Sequence, residues 1–157
     1  MITISKECTA CGACVQKCPK ACIAMREDEN GFLFPHVEVE KCIECGQCDR
    51  VCHLNADMRN DYTKTAFACV HRSKEALKKS TSGGAFSAIA ERIFSLGGVV
   101  YGCGYLTPTE PHHIRIEYPK DIDRLRGSKY VQSDVRRLFG QVKADLQAGK
   151  PVLFIGT

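Results

Sequence analysis

No run of the 157-residue sequence approaches the ~18 consecutive apolar residues of a membrane-spanning helix. No apolar leader opens it: Met1-Ile2-Thr3-Ile4 passes directly into Ser5-Lys6-Glu7, unlike a secreted precursor. Its Lys and Arg residues are scattered and the formal net charge is only +4, so the basic stripe that marks a nucleic-acid partner is missing. No catalytic triad, general-base pair or Walker loop stands out. These absences point away from membrane and nucleic-acid partners. What the sequence has in excess is cysteine. Eleven cysteines without a leader are expected of a reducing compartment, the cytoplasm.

Eight of them fall into two sets with one spacing. Cys8, Cys11, Cys14 and Cys18 are followed, member by member and 34 residues later, by Cys42, Cys45, Cys48 and Cys52. One module is written twice. Each Cys-x-x-Cys-x-x-Cys triplet can wrap three thiolates around a small inorganic cube. Gly12 and Gly46, at matching positions, let the backbone come close to it. The pattern resembles the bacterial two-cluster ferredoxins, in which the fourth cysteine of each run ligates the other cluster. The resemblance implies Cys8, Cys11, Cys14 and Cys52 on one 4Fe-4S cluster, and Cys42, Cys45, Cys48 and Cys18 on the second. One position departs: Pro19 follows Cys18, but His53 follows Cys52. His53 is either a ring N–H donor to a cluster sulfur or an exposed residue at a helix end. Zinc and disulfides are the weaker readings. Zinc sites usually use two Cys pairs across a longer loop, and a disulfide framework suits a short secreted chain.

The remaining pattern predicts a strand at Ile2–Ile4, a short helix over Val15–Lys17, and a hairpin over 23–37 that turns at Asp28-Glu29-Asn30-Gly31. A polar linker is expected over 57–65. Beyond it, Ala66–Val70 reads as an apolar strand. Phe86, Ile89, Ala90, Ile93 and Leu96 share one helical face, and Gly97-Gly98 stops that helix. Strands follow at 99–105 and 113–118, with a helical turn at Asp121–Leu125. Asp134 is expected to cap a helix carrying Val135, Leu138, Phe139, Val142 and Leu146 on one face, ended by Gly149. The last strand is 151–155. The fold class expected is α+β: a two-cluster ferredoxin module over 1–56, then an incomplete α/β domain over 66–157. Cys22, four residues after Cys18, is either an alternative cluster ligand or, the simpler account, a buried structural thiol, and Cys69 and Cys103 read as buried structural thiols. His112 and His113, on an extended segment, point opposite ways and read as surface residues.

The second part also resembles a family. Ser80-Thr81-Ser82-Gly83-Gly84-Ala85-Phe86-Ser87, Gly97-Gly98-Val99-Val100-Tyr101-Gly102, Leu125-Arg126-Gly127-Ser128-Lys129-Tyr130-Val131-Gln132-Ser133 and Val152-Leu153-Phe154-Ile155-Gly156-Thr157 resemble the amino-terminal domain of the coenzyme F-420 hydrogenase/dehydrogenase beta subunits. In that family Gly-Thr is normally followed by Pro-Cys-Gln and a further large domain. The resemblance therefore implies a truncated chain, not catalytically complete by itself, whose partner is a redox protein or the missing C-terminal domain. It also implies an iron–sulfur flavoprotein that moves electrons between clusters, FAD and a substrate such as F-420. Ser82, Gly83 and Gly84 would then place the flavin pyrophosphate at a helix N-terminus. On the residues alone, an ordinary Thr81 or Ser82 N-cap is the simpler account. Ser128 and Lys129, beside Arg126, form a second candidate against a solvated basic loop. Two other functions compete: a stand-alone ferredoxin-like carrier whose α/β part docks a partner, and a non-redox module with structural metal.

Overall fold

The repeat is written in the backbone as well as in the cysteines. In the computed structural model, which describes residues 2–55, 65–135 and 138–156, helices α1 (Ala13–Lys17) and α2 (Gln47–Val51) are five residues each. Each starts after a left-handed glycine, Gly12 at φ 71° and Gly46 at φ 68°. Ala10 and Glu44, also left-handed at φ 53° and 52°, occupy matching places two residues earlier. Left-handed residues in such a loop gather its N–H groups on one side. Each helix ends on the fourth cysteine of its run, extended at Cys18 (φ −68°, ψ 115°) and Cys52 (φ −73°, ψ 120°). Even the flanking turns match. Cys8 N–H donates to Ser5 O and Cys42 N–H to Val39 O; Ala21 N–H donates to Cys18 O and Asn55 N–H to Cys52 O.

Between the loops lies the hairpin of β1 (Ile23–Glu27) and β2 (Leu33–Val37), paired from Ile23↔Val37 to Glu27↔Leu33. The Asp28 carboxylate closes its turn by accepting from Asn30 N–H at 2.9 Å and Phe32 N–H at 2.8 Å, the local bonding that suits Asp to turns. The core of this unit, Met1–Tyr62, is small and rich in sulfur. Ile2, Cys14, Cys22, Ile23 and Cys48 are buried, with Val15, Cys18, Val37, Cys42 and Cys52 packed against them. One expectation is corrected: residues 2–4 form no strand, although Ile2 enters the core. The short alternating run gives a burial pattern but cannot supply a ladder partner. The linker read over 57–65 lies, apart from Thr65, outside the described residues.

The second unit, Thr63–Thr157, is a sheet covered on both faces. Helices α3 (Lys74–Lys78) and α4 (Ala85–Ser95) precede β3 (Val99–Thr107) and β4 (Glu110–Ile116); α5 (Leu138–Gln147) and β5 (Val152–Phe154) follow. The strand order is β4-β3-β5. β3 and β4 are antiparallel, whereas β3 and β5 are parallel, joined through α5. Alternation along β3 decides the layers. Val100 faces a cluster with Ala90 and Phe86 of α4, plus Ile116, Ile122 and Leu125. Val99 and Tyr101 face the other way, onto Leu138, Val142 and Val152. Both helix stops read from glycine hold. Gly97 and Gly98 return N–H bonds to Phe94 and Ile93, and Gly149 and Lys150 to Leu146 and Asp145.

Several expectations change. Residues 65–70 form no strand, and Phe67 and Val70 are exposed; an apolar run becomes a strand only where a sheet edge receives it. In α4, Ile89 and Leu96 are exposed, and the packed face is Phe86, Ala90, Ile93 and Phe94. The cap expected on α5 falls at residues 136–137, outside the described residues, but Asp134 itself is described. It forms a parallel bridge with His112, accepting from His113 N–H at 3.0 Å, and that segment covers β4. His112 is therefore buried and His113 half-buried, so neither is a surface residue.

A charged cluster fastens α5 to the sheet. Arg115 donates to both oxygens of Asp145, Nε to Oδ2 at 2.7 Å and Nη2 to Oδ1 at 3.0 Å. Tyr101 Oη also donates to Asp145, and Lys150 Nζ donates to Glu117 at 2.6 Å. Arg115 holds the Asp145 carboxyl down at about 2 against burial, which opposes it. Burial and Asp145 push the Tyr101 hydroxyl up to about 12. A carboxylate with a depressed folded pKa stabilises the fold above its unfolded pKa and loses that contribution as pH falls through the folded value. Stability from this clamp is thus expected to be complete above about pH 4 and to fall away towards pH 2. Asp145→Asn should lower stability at neutral pH by roughly 2 kcal/mol, the scale of charged hydrogen bonds, and flatten that acid response. Urea midpoints measured across this pH range check it, and equal midpoints for variant and wild type would contradict it.

Candidate cluster sites and cofactor cavity

The two cysteine runs meet crosswise in the first unit. One cavity is lined by Cys8, Cys11 and Cys14 together with Cys52; Ile2, Ile4, Pro35 and Leu54 complete its apolar wall. A second is lined by Cys42, Cys45 and Cys48 together with Cys18, with Ile23, Val37 and Ile43 around them. The short helices cause the exchange. Each carries its run away from the triplet, and the extended fourth cysteine ends at the opposite loop. Among the described residues no three His, Cys, Asp or Glu side chains could hold one metal ion. A cluster of four irons has thiolates at separated corners, so four thiols around an apolar cavity fit it. His53 is exposed in the 3-10 turn His53–Asn55 and also lines the first cavity.

The thiols are not electrostatically equal. Burial pushes the Cys14 thiol up, opposed by N–H groups of Val15 and of Cys14 itself. Burial would do the same at Cys18, but N–H groups of Cys22, Lys20 and Ala21, and the Cys22 thiol, hold it below its ordinary value. Cys22 Sγ lies 3.4 Å from Cys18 Sγ. Its thiol is pushed up to about 11, first by Cys18 and then by burial. Cys22 is buried and lines the second cavity beside the four other cysteines.

The second unit holds a cavity of about 460 Å³. Ser82, Gly83 and Gly84 line it, and so do Arg126, Ser128 and Lys129. Segments more than 40 residues apart in sequence thus share one space, because the loop before α4 and the loop after the 3-10 turn Pro119–Arg124 lie on the same side of β3. The N-cap of α4 is Gly84, at φ 79°, and no side chain caps it, so neither Thr81 nor Ser82 fills that role. The glycines also answer to packing. A Cβ on Gly83 would lie 2.7 Å from the Cys69 carbonyl oxygen, and one on Gly84 2.8 Å from His71 Cβ. His71 N–H donates to Gly83 O at 2.7 Å.

Both nearby cations are engaged. Lys129 Nζ donates to the carbonyls of Leu125 at 3.1 Å and Arg126 at 2.9 Å, and burial pulls its pKa down. Two of its three N–H donors are so occupied. Arg126 pairs with Asp123, and its Nε donates to Ser87 Oγ at 3.2 Å. Sequence reasoning missed His113, Ser133, Cys103 and Cys69 as cavity walls. His113 Nε2 donates to Ile155 O at 3.0 Å, and its Nδ1 is hydrogen-bonded with Ser133 Oγ at 2.8 Å. Cys103, opposite His113 in the ladder, is half-buried, and Cys69 is exposed. Neither is the buried core thiol expected, because the cavity opens beside both. The alternation of 113–118 could have flagged His113, but not the loop that covers it.

Residues 7–56 match the family model described as a 4Fe-4S dicluster domain. A ferredoxin of Methanocaldococcus jannaschii is 36% identical over 56 residues, covering 36% of this chain and 71% of the relative. A subunit of the F(420)H(2) dehydrogenase of Methanosarcina mazei is 26% identical over 138 residues, covering 82% of this chain and 40% of the relative. The DNA-directed RNA polymerase subunit Rpo3 of Methanosarcina acetivorans is 36% identical over 67 residues, covering 43% of this chain. The chain spans 24% of that polymerase subunit's length. Among the described residues no helix is long and apolar enough to cross a membrane. The doubled cysteine run, its crosswise cavities and the matched ferredoxin together place the chain, through residues 7–56, in the family of 4Fe-4S dicluster ferredoxins.

Proposed function

We propose that this chain relays single electrons through two 4Fe-4S clusters to or from an FAD held in the cavity of its second unit. In this reading Cys8, Cys11, Cys14 and Cys52 hold one cluster, and Cys42, Cys45, Cys48 and Cys18 the other. Residues 1–56 form the relay, and residues 66–157 are the front of an α/β domain of the F-420 hydrogenase/dehydrogenase beta-subunit type. The whole is part of a cytoplasmic oxidoreductase whose partner is a redox protein or a further domain. When bound, each cluster takes up or gives back one electron. The protein's part is to supply thiolates, exclude water with the Ile, Val and Pro walls, and donate hydrogen bonds to sulfur. The flavin reading is carried by one observation: Ser82–Gly84 and Ser128–Lys129 line the same cavity, beside the uncapped first turn of an eleven-residue helix. Such a turn favours a pyrophosphate. The similarity to the dehydrogenase subunit, which runs over 82% of this chain, supports it.

A second reading is favoured by the polymerase relative, whose name carries no redox function: a module in which the clusters are structural. Reversible reduction of the clusters by dithionite separates the two, because a structural module need not have an accessible potential.

The clusters complete the small sulfur-rich core. Anaerobic protein should contain about eight irons per chain, and stripping them by chelation and oxidation should unfold residues 1–56. A circular dichroism spectrum unchanged by iron removal would contradict this. For the flavin, Gly83→Asp is a poor probe, since any Cβ there meets the Cys69 carbonyl. Ser128 is exposed at the cavity, so Ser128→Asp adds charge without a clash. It should cut the FAD retained after anaerobic purification by about tenfold, equivalent to ~1.4 kcal/mol, with iron unchanged. Undiminished flavin would remove the cavity proposal.

A further inference from the structure

The cavity of Cys18, Cys42, Cys45 and Cys48 contains a fifth thiol that no ligand count requires. Cys22 is 3% exposed, lines the cavity, and lies 3.4 Å from Cys18 through sulfur. In the free chain either sulfur could give the proton. A cluster-bound Cys18 is a thiolate with none to give, so donation then runs from Cys22 to Cys18. The other half lacks the device. The repeat carries Cys22 onto Ala56, and the four cysteines lining the first cavity are its proposed ligands alone.

We infer that the Cys22 S–H donates a hydrogen bond to the Cys18 ligand sulfur and makes that cluster easier to reduce than the same ligand set would be without it, so that the twin clusters are unequal. The reason is charge. Reduction adds an electron to a cluster whose thiolates already carry negative charge, and a donor on a ligand sulfur stabilises the reduced state more than the oxidised one. The thiol adds a donor that Cys52 has no counterpart for in the repeat. An electron entering the pair settles on the Cys42–Cys48 side, which gives a symmetric module a direction. The inference rests on the crosswise ligand assignment.

The test is an EPR-monitored redox titration of the full chain with both clusters loaded, for wild type, Cys22→Ala and Cys22→Ser, each with its iron count. Wild type should reduce in two resolved steps. Cys22→Ala should move one step to more negative potential and leave the other, with about eight irons retained. Cys22→Ser, which keeps a donor, should fall between. Equal wild-type potentials, unmoved steps, or both steps moving together would overturn the inference. Wild type without about eight irons would instead overturn the ligand assignment. Should Cys22→Ala fail to take up clusters, pulsed EPR of the reduced holoprotein in D2O decides: a deuteron coupling at one cluster that changes in Cys22→Ser supports the hydrogen bond, and an identical coupling overturns it.

Discussion

The structure of the first unit depends on one constraint: a fourth cysteine that leaves its own loop and stands in the wall of the cavity made by the other. Cys18 does so for the loop of Cys42–Cys48, and Cys52 for the loop of Cys8–Cys14. A five-residue helix is long enough to make the transfer and too short to be stable alone. Neither half can therefore complete its cavity without the other. The hairpin between them brings Ile23 and Val37 into the same sulfur-rich core. Burial alone gives such a unit little stability, and bonds to metal would tie loop to loop where aliphatic contacts are few.

The second unit solves a different problem. Its core is conventional, two aliphatic clusters on opposite faces of β3, and the Arg115–Asp145 pair ties α5 to the strands. The strand register leaves the loops before α4 and after the 3-10 turn on one side, where they enclose a space. That space has serines, a partly engaged lysine and a histidine hydrogen-bonded at both ring nitrogens in its wall. This suits a polar ligand held by orientation more than by net charge, because the cations already have protein partners.

The relatives show why the first unit does not by itself define the activity. A small ferredoxin, a dehydrogenase subunit and a polymerase subunit each match part of this chain. Function lives in sites grafted on folds. The asymmetry at Cys22 and the lining of the second unit's cavity are where this chain becomes particular.

The doubled spacing determined a great deal: two loops, two short helices, a hairpin turning between Asp28 and Gly31, and glycine-stopped helices. Each rests on local bonding or on a covalent period that survives without knowledge of neighbours. Tertiary structure decided the rest. Whether Ala66–Val70 pairs, which face of α4 packs, and whether His113 meets solvent or a carbonyl all depend on partners distant in sequence. The proximity of Cys22 to Cys18 fell between the two. Its spacing was visible, but only folding could bring two sulfurs to 3.4 Å inside a cavity that one of them helps to build.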